Sequence, residues 1–227
     1  MISHFDKYPL LTNKLADYEL FKQVFELMER GEHLNLSGLK KIVSIKAVLN
    51  KGLSPQLKAS FPDITPVLRP KVEYQKISDP HWISGFTDAE GCFFVVVRKS
   101  PKSRLGESVW LRFILTQHSR DEILIKSLIN ELGCGRYFPR SNENYGEFIV
   151  EKYSDIAEKI IPFFEKFQLQ GVKHYNFEDF KKVALLMKSK AHLTSEGLEK
   201  IKNIKSGMNT QRQYSINKTF SKIENSD

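Results

Sequence analysis

The sequence is poor in cysteine and contains no long apolar run. Its 227 residues include only 2 cysteines, Cys92 and Cys134, which are not arranged as a CxxC pair. A disulfide-stabilised fold or a zinc site therefore has no support, and we expect reduced thiols. No apolar stretch approaches the ~20 residues of a membrane-spanning helix, so we expect no membrane partner. The opening segment MISHFDKYPLL has neither the basic region nor the apolar core of a signal peptide.

The chain also has fewer acidic than basic residues. The chain has 35 Lys and Arg against 27 Asp and Glu, a formal net charge of +8. This balance favours a polyanionic partner, with nucleic acid first. The hydrophobic fraction of 41% indicates a chain that folds into one or two packed domains.

The chain contains an internal repeat. Residues 7–50 align without gaps with residues 166–209, and 18 of the 44 aligned positions are identical. Each copy has apolar residues at helical spacing on both sides of a polar turn, which predicts two helices. The second copy is preceded by a long segment that has no counterpart before the first. We therefore divide the chain into the C-terminal helices of a missing first half (1–50), a linker (51–79), a complete unit (80–212) and a tail (213–227).

The complete unit begins with a short predicted helix. Asp79 is a typical N-cap, Pro80 suits the first helical position, and Gly91 is a natural stop. Gly85 and Ala89 lie four residues apart, and both are small enough to let a second helix approach closely.

Two carboxylates, Asp88 and Glu90, fall in the last turn of this helix. They meet the negative end of the helix dipole, which is unfavourable unless a cation offsets it. Two interpretations remain open: a solvated helix end, or a divalent-metal ligand.

A long β-hairpin is predicted next, with strands at 92–100 and 109–117. The odd-numbered positions of the second strand are apolar, which predicts that this face packs on helices. The opposite face is basic and suits a ribbon in the DNA major groove, although a solvated surface is the alternative. The candidate DNA-binding residues on it are Arg98, Lys102, Arg104, Trp110 and Arg112.

The remaining pattern predicts a helix from Ser119, a second hairpin and a further helix. The order is therefore α-β-β-α-β-β-α, an α+β fold. The orientation of the last strand stays open, because Phe148, Ile149 and Val150 are all apolar.

Residues 83–91, ISGFTDAEG, resemble the nine-residue motif of the LAGLIDADG homing endonucleases. The segments TQHSRDE, LGCGRYF, HLTSEGLEKI and IKSGMN are similar to the monomeric, two-motif, fungal-organelle branch of that family. The resemblance implies a saddle-shaped antiparallel sheet and an intron-encoded, Mg²⁺-dependent endonuclease that cuts double-stranded DNA at a specific sequence. It also implies a mitochondrial location without a transit peptide.

The resemblance further implies roles for individual residues. Glu90 stands at the position of the Mg²⁺ ligand, and Gly85 and Ala89 stand where two motif helices cross. Gln117 matches a polar position beside the metal, and Lys152 matches a basic position that steadies phosphate charge.

The chain differs from the two-motif branch in that it carries one motif. Metal-assisted cleavage of two strands needs acidic ligands from two motifs, and one copy of Glu90 supplies half of that set. The chain is therefore expected to be inactive alone, or to be completed by a homodimer or by a separate first-half chain. A non-catalytic module, such as a maturase that binds intron RNA, is the alternative function.

Overall fold

The computed structural model describes residues 1–212, so the predicted tail at 213–227 lies outside the described residues. The chain forms two compact units. The first contains residues 1–77 and 120–124, and the second contains residues 78–119 and 125–212. Within residues 1–212, no helix is both long enough and apolar enough to cross a membrane.

The first unit is helical. Its core contains Leu20, Leu27 and Ile45, and Val67 packs against them from the segment predicted to be a linker. Its helices are α1 (Ile2–Lys7), α2 (Lys14–Glu29), α3 (Leu36–Lys46) and α4 (Pro55–Ser60).

The predicted linker is anchored to these helices by one arginine. Arg69 Nη1 donates to the carbonyl of Val48 at 2.9 Å and pairs with Asp17 at 2.7 Å. This segment is therefore part of the first unit and is not a free connection.

The second unit has the predicted α-β-β-α-β-β-α order, followed by further helices. Its four strands form one antiparallel sheet in the order β1-β2-β4-β3, which confirms the α+β fold. A π-helical turn at Ile156–Ile160 joins α7 to α8, next to Pro162, which has no backbone N–H to donate. The elements are α5 (Pro80–Glu90), β1 (Gly91–Lys99), β2 (Glu107–His118), α6 (Glu122–Leu132), β3 (Arg136–Pro139), β4 (Tyr145–Val150), α7 (Tyr153–Asp155), α8 (Ile161–Lys166), α9 (Lys173–Lys188) and α10 (Ser195–Ser206).

The inner face of the sheet carries an aromatic core. Phe93 pairs with Phe113 across β1 and β2, and both side chains are fully buried. The Phe93 ring lies 5.0 Å from Phe113, 5.3 Å from Phe180 and 5.5 Å from Phe164. The predicted inward direction of the odd-numbered positions is therefore confirmed.

The register also settles the orientation of β4. Phe148 pairs with Leu115, and Val150 pairs with Phe113, so both lie on the inner face. Ile149 pairs with Ile114 on the opposite side.

The internal repeat is also a structural repeat. Helices α2 and α9 each contain 16 residues, and their first residues, Lys14 and Lys173, are equivalent in the alignment. The next helix begins after an N-cap in both copies, where Asn35 accepts from the Gly38 N–H and Thr194 accepts from the Gly197 N–H.

The two copies bury different faces. Phe180 is 0% exposed on the sheet, whereas its equivalent Phe21 is 44% exposed. Leu198 and its equivalent Leu39 differ in the same way, at 6% and 38%. The first copy therefore exposes the stripe that the second copy packs against a sheet.

Candidate metal site and nucleic-acid interface

The acidic residue Glu90 is placed by a helix with two defined ends. The Asp79 side chain accepts from the His81 N–H at 2.9 Å, and Gly91 is extended and starts β1. Glu90 is therefore the last residue of α5. Its side chain is exposed and forms no hydrogen bond or ion pair with any of residues 1–212.

The neighbouring carboxylate Asp88 has a structural role. Its Oδ2 accepts from the backbone N–H groups of Gln170 at 2.8 Å and Gly171 at 3.1 Å. These bonds tie the end of α5 to the segment that leads into α9. The other oxygen, Oδ1, is buried and has no hydrogen-bond partner among the described residues. Glu90 is therefore the carboxylate of the two that is open to solvent.

A lysine that the sequence analysis did not single out lies at the same helix end. Lys173 Nζ donates to the carbonyls of Ala89 at 2.8 Å and Thr87 at 3.2 Å. It supplies the cation that offsets the negative end of the α5 dipole. Burial lowers the pKa of Lys173 from its ordinary value, while Cys92, and less strongly Asp88 and Glu90, oppose that shift.

Gln117 lies near this site. Gly91 pairs with Leu115 in the antiparallel pair of β1 and β2. Gln117 lies two residues beyond Leu115 on β2, in the direction of Glu90. Its side-chain oxygen accepts from the His118 N–H at 2.8 Å.

Lys152 is not brought to the same place. Phe148 is the β4 residue level with Leu115 and therefore with Gly91. From Phe148, β4 runs away from Glu90 and ends at Val150, and Lys152 lies beyond that end. The expectation that Lys152 acts beside Glu90 therefore does not agree with the register, and Lys173 is the lysine at this end of the sheet.

One face of α5 is open. Gly85 and Ala89 are exposed, and a Cβ atom placed on Gly85 would meet no atom within 4 Å. Trp82 and Phe86 flank them as a stacked pair, with ring centroids 4.8 Å apart. This face has small side chains in the middle and aromatic side chains beside them, which allows another helix to approach closely.

The outer face of the sheet, opposite the aromatic core, is called here the open face. Arg98 lies over the Trp110 ring at 5.1 Å. Arg112 pairs with Phe94 across β1 and β2 and points to the same side. The structure therefore places Arg98, Trp110 and Arg112 on one surface, as the strand alternation predicts.

Lys102 and Arg104 are placed differently from the prediction. They lie in the hairpin turn between β1 and β2 and not on the strand face, because β1 ends at Lys99. Both are exposed, and with His192 they line a depression of about 600 Å³. They extend the basic surface beyond the end of the sheet.

The open face contains charged residues that the sequence analysis missed. Arg136 on β3 lies opposite Ile149, and Arg140 follows the end of β3. Two acidic residues face them: Glu151 pairs with Arg136 and Arg112, and Glu147 pairs with Arg140. Strand alternation could have placed these charged residues on the open face only if it had been known which residues of β4 face outward.

The site offers a single exposed acidic side chain, Glu90, that could bind a metal ion. No group of three or more His, Cys, Asp and Glu side chains within residues 1–212 could hold a metal. Mg²⁺ is commonly bound by one or two carboxylates together with water and substrate phosphates. The exposed carboxylate of Glu90 fits one position of such a site.

A family described as LAGLIDADG endonuclease matches residues 83–184. Among curated proteins, the chain is similar to a probable intron-encoded endonuclease 2 of Neurospora crassa, with 41% identity over 92% of this chain and 47% of that protein. It is also similar to a probable intron-encoded endonuclease 3 of the same organism, with 39% identity over 88% of this chain and 38% of that protein. The chain thus spans less than half the length of these relatives.

Solved structures give a closer match. The chain is similar to the I-SmaMI LAGLIDADG homing endonuclease bound to cleaved DNA, with 46% identity, a TM-score of 0.90, and coverage of 92% of this chain and 70% of that one. It is equally similar to I-LtrWI bound to target DNA, with 47% identity, a TM-score of 0.89, and coverage of 93% and 71%. A further I-SmaMI structure contains an uncleaved DNA target in the presence of calcium ions.

Proposed function

The chain belongs to the LAGLIDADG endonuclease family, and from that premise we propose that it takes part in sequence-specific, Mg²⁺-dependent cleavage of double-stranded DNA. The observation that carries this proposal is the exposed Glu90 carboxylate at the end of α5, directly beside a sheet whose open face is basic. Relatives whose names refer to introns of the ND4 and cox1 genes support an intron origin and a mitochondrial location.

We assign the following roles to residues at the end of α5. Glu90 supplies a carboxylate to the metal, and Lys173 holds the carbonyls of Ala89 and Thr87, which fixes the last turn of α5. Gln117 is positioned to orient a water or phosphate. When bound, Mg²⁺ stabilises the charge that develops on the phosphate and the leaving oxygen.

The open face is proposed as the surface that binds the DNA duplex. Its arginines suit guanine edges and phosphates, and Trp110 holds Arg98 by a cation–π contact. The turn residues Lys102 and Arg104 suit phosphates further along the duplex.

Double-strand cleavage also requires a second acidic motif. We propose that the species that cuts both strands has a second motif helix packed on Gly85 and Ala89, where a close approach meets no obstacle. A second copy of this chain or a first half with its own motif could supply it.

Cleavage of a plasmid that carries the uninterrupted insertion site of the intron tests this function. If a second copy supplies the other motif, the wild type should cut with Mg²⁺ at a rate that rises more steeply than linearly with protein concentration; if a first half supplies it, cutting should require that first half. Glu90→Gln should bind DNA but not cut it. The matched control is Glu131→Gln, another exposed carboxylate in the last turn of an 11-residue helix, α6.

Three results would contradict parts of the proposal. A Glu90→Gln protein that cuts at the wild-type rate removes the metal role of Glu90. A strictly monomeric wild type that makes double-strand breaks removes the requirement for two motifs. Tight binding to intron RNA, without binding to the DNA site, favours the maturase alternative.

We also propose that residues 1–50 are the C-terminal helices of another repeat of the same kind. The support is their equivalence to 166–209 and the exposed stripe that includes Phe21 and Leu39. We propose that this stripe packs against the apolar face of the sheet in another αββαββα unit, in the same way that Phe180 packs against Phe93 in this one. Sedimentation of the wild type and of Phe21→Asp, each mixed with a first-half protein that carries such a sheet, tests this: loss of the complex in the variant supports it, and a complex that both proteins form equally contradicts it.

A further inference from the structure

Two arginines of the open face share one carboxylate. Arg112 Nε donates to Glu151 Oε1 at 2.6 Å, and Arg112 Nη2 contacts the same oxygen. Arg136 Nη2 donates to Glu151 Oε2 at 2.7 Å. Because these residues come from β2, from β3 and from the position after β4, Glu151 links side chains of three strands.

Stability does not account for this arrangement. The side chains of Arg112, Glu151 and Arg136 are 30%, 27% and 66% exposed, and ion pairs at such exposure are weakened by water and salt. A carboxylate on a surface that binds a polyanion also opposes binding. Its presence between two arginines therefore points to a role in orienting them.

The geometry limits what Arg112 can present. A guanidinium has five N–H donors in a fixed plane. Glu151 occupies the edge formed by Nε and Nη2, so the edge formed by Nη1 and Nη2 remains available. Guanine offers two acceptors, O6 and N7, in the major groove, and an arginine fork matches them.

We infer that Glu151 is a positioning residue for DNA recognition, which holds Arg112 so that the end of its guanidinium reads a guanine. This inference rests on the proposed DNA-binding function. An arginine that is already held in place before DNA binds loses less side-chain freedom on binding. Because the orientation of its guanidinium edge is fixed, it can form a bidentate hydrogen-bond pair with fewer bases.

The substitution Glu151→Gln weakens this contact. It preserves the size of the side chain but removes the negative charge, so the bonds to the guanidinium groups lose the charge assistance that strengthens them. The amide also leaves one acceptor oxygen for the two guanidinium groups that the carboxylate held with two. Glu196→Gln is the matched control, because Glu196 also pairs with a cation, Lys200, but lies on α10 on the other side of the sheet.

The experiment selects bound duplexes from a pool of randomised double-stranded DNA. It uses the full chain as wild type, Arg112→Ala, Glu151→Gln, the double variant and the control. The wild type should prefer guanine at one position by about 5- to 150-fold, as a bidentate contact gives. Arg112→Ala and Glu151→Gln should both reduce the preference at that position to under about threefold, and the double variant should be no worse than Arg112→Ala.

A second readout does not require DNA. The Arg112 Nε–H resonance in ¹H–¹⁵N spectra should be protected from exchange in the wild type and lost in Glu151→Gln, with backbone resonances elsewhere unchanged. Its presence in both proteins would contradict the contact itself.

The other outcomes are also decisive. If Glu151→Gln weakens binding to all sequences equally and keeps the guanine preference, or if its effect adds to that of Arg112→Ala, the inference is wrong. A wild type that binds DNA without base preference also overturns it. A wild type that retains no duplex refutes the proposed function, which separates that failure from a failure of the positioning role alone.

Discussion

Leu111 and Arg112 are adjacent residues on opposite faces of β2, and we predict that their alanine variants have opposite phenotypes. Leu111 is 1% exposed and pairs with Val95 on the inner face. Replacing it with alanine removes three carbon atoms, about 2.4 kcal/mol at 0.8 kcal/mol each, and leaves a cavity among large side chains. We expect Leu111→Ala to lower the free energy of unfolding by about 3 kcal/mol.

Arg112→Ala should behave in the reverse way. Its ion pair with Glu151 is partly exposed, so its loss should change the free energy of unfolding by less than about 1 kcal/mol. If Arg112 makes a bidentate base contact, specific DNA binding should weaken by about 1–3 kcal/mol. Leu111→Ala, measured where it is still folded, should bind DNA as the wild type does.

Urea unfolding followed by tryptophan fluorescence, together with DNA-binding titrations, measures both effects. Arg30→Ala is a suitable control, since Arg30 is also in an exposed ion pair, with Glu32, but lies in the first unit. It should change neither quantity. If the two phenotypes were exchanged, the register of β2 would be wrong by one residue.

Other substitutions follow from the same structure. Gly85→Leu should raise the free energy of unfolding by up to about 1 kcal/mol, because leucine favours helix and the site is open, yet it should abolish DNA cleavage by blocking a second motif helix. Phe180→Ala should cost about 3–5 kcal/mol, whereas Phe21→Ala at the equivalent exposed position should cost less than about 1 kcal/mol, which calorimetry of the two variants checks. Lys173→Met should reduce cleavage by about 100-fold or more, and Lys182→Met on the same helix should not, since Lys182 only pairs with the nearby Asp179 on the surface.

The parts of the fold that could be predicted from the sequence are those in which periodicity and caps agree. Asp79, Pro80 and Gly91 define α5 to the residue, and the odd-numbered apolar positions of β2 define its buried face. Internal similarity identified the two helix pairs, because each copy retains its apolar stripe and its cap. In these elements, local chemistry and tertiary packing favour the same structure.

The misses have a common cause, which is that they depend on contacts distant in sequence. Lys173 is 83 residues beyond Glu90, and no local pattern connects them. Ile149 lies in a run of apolar residues, so strand alternation does not show which face of the sheet each β4 residue occupies. Arg136 and Glu151 were therefore not placed on the open face. The segment around Arg69 has little periodicity, yet it packs through one arginine and one valine.

The open face of the sheet should be the surface that contacts the DNA duplex. Photo-crosslinking from a benzophenone side chain, introduced at Trp110 on the open face or at the exposed Leu185 on α9, tests it directly. Duplex DNA should be crosslinked from position 110 and not from position 185. Crosslinking from position 185 alone would place the DNA on the helical side and refute binding at the open face.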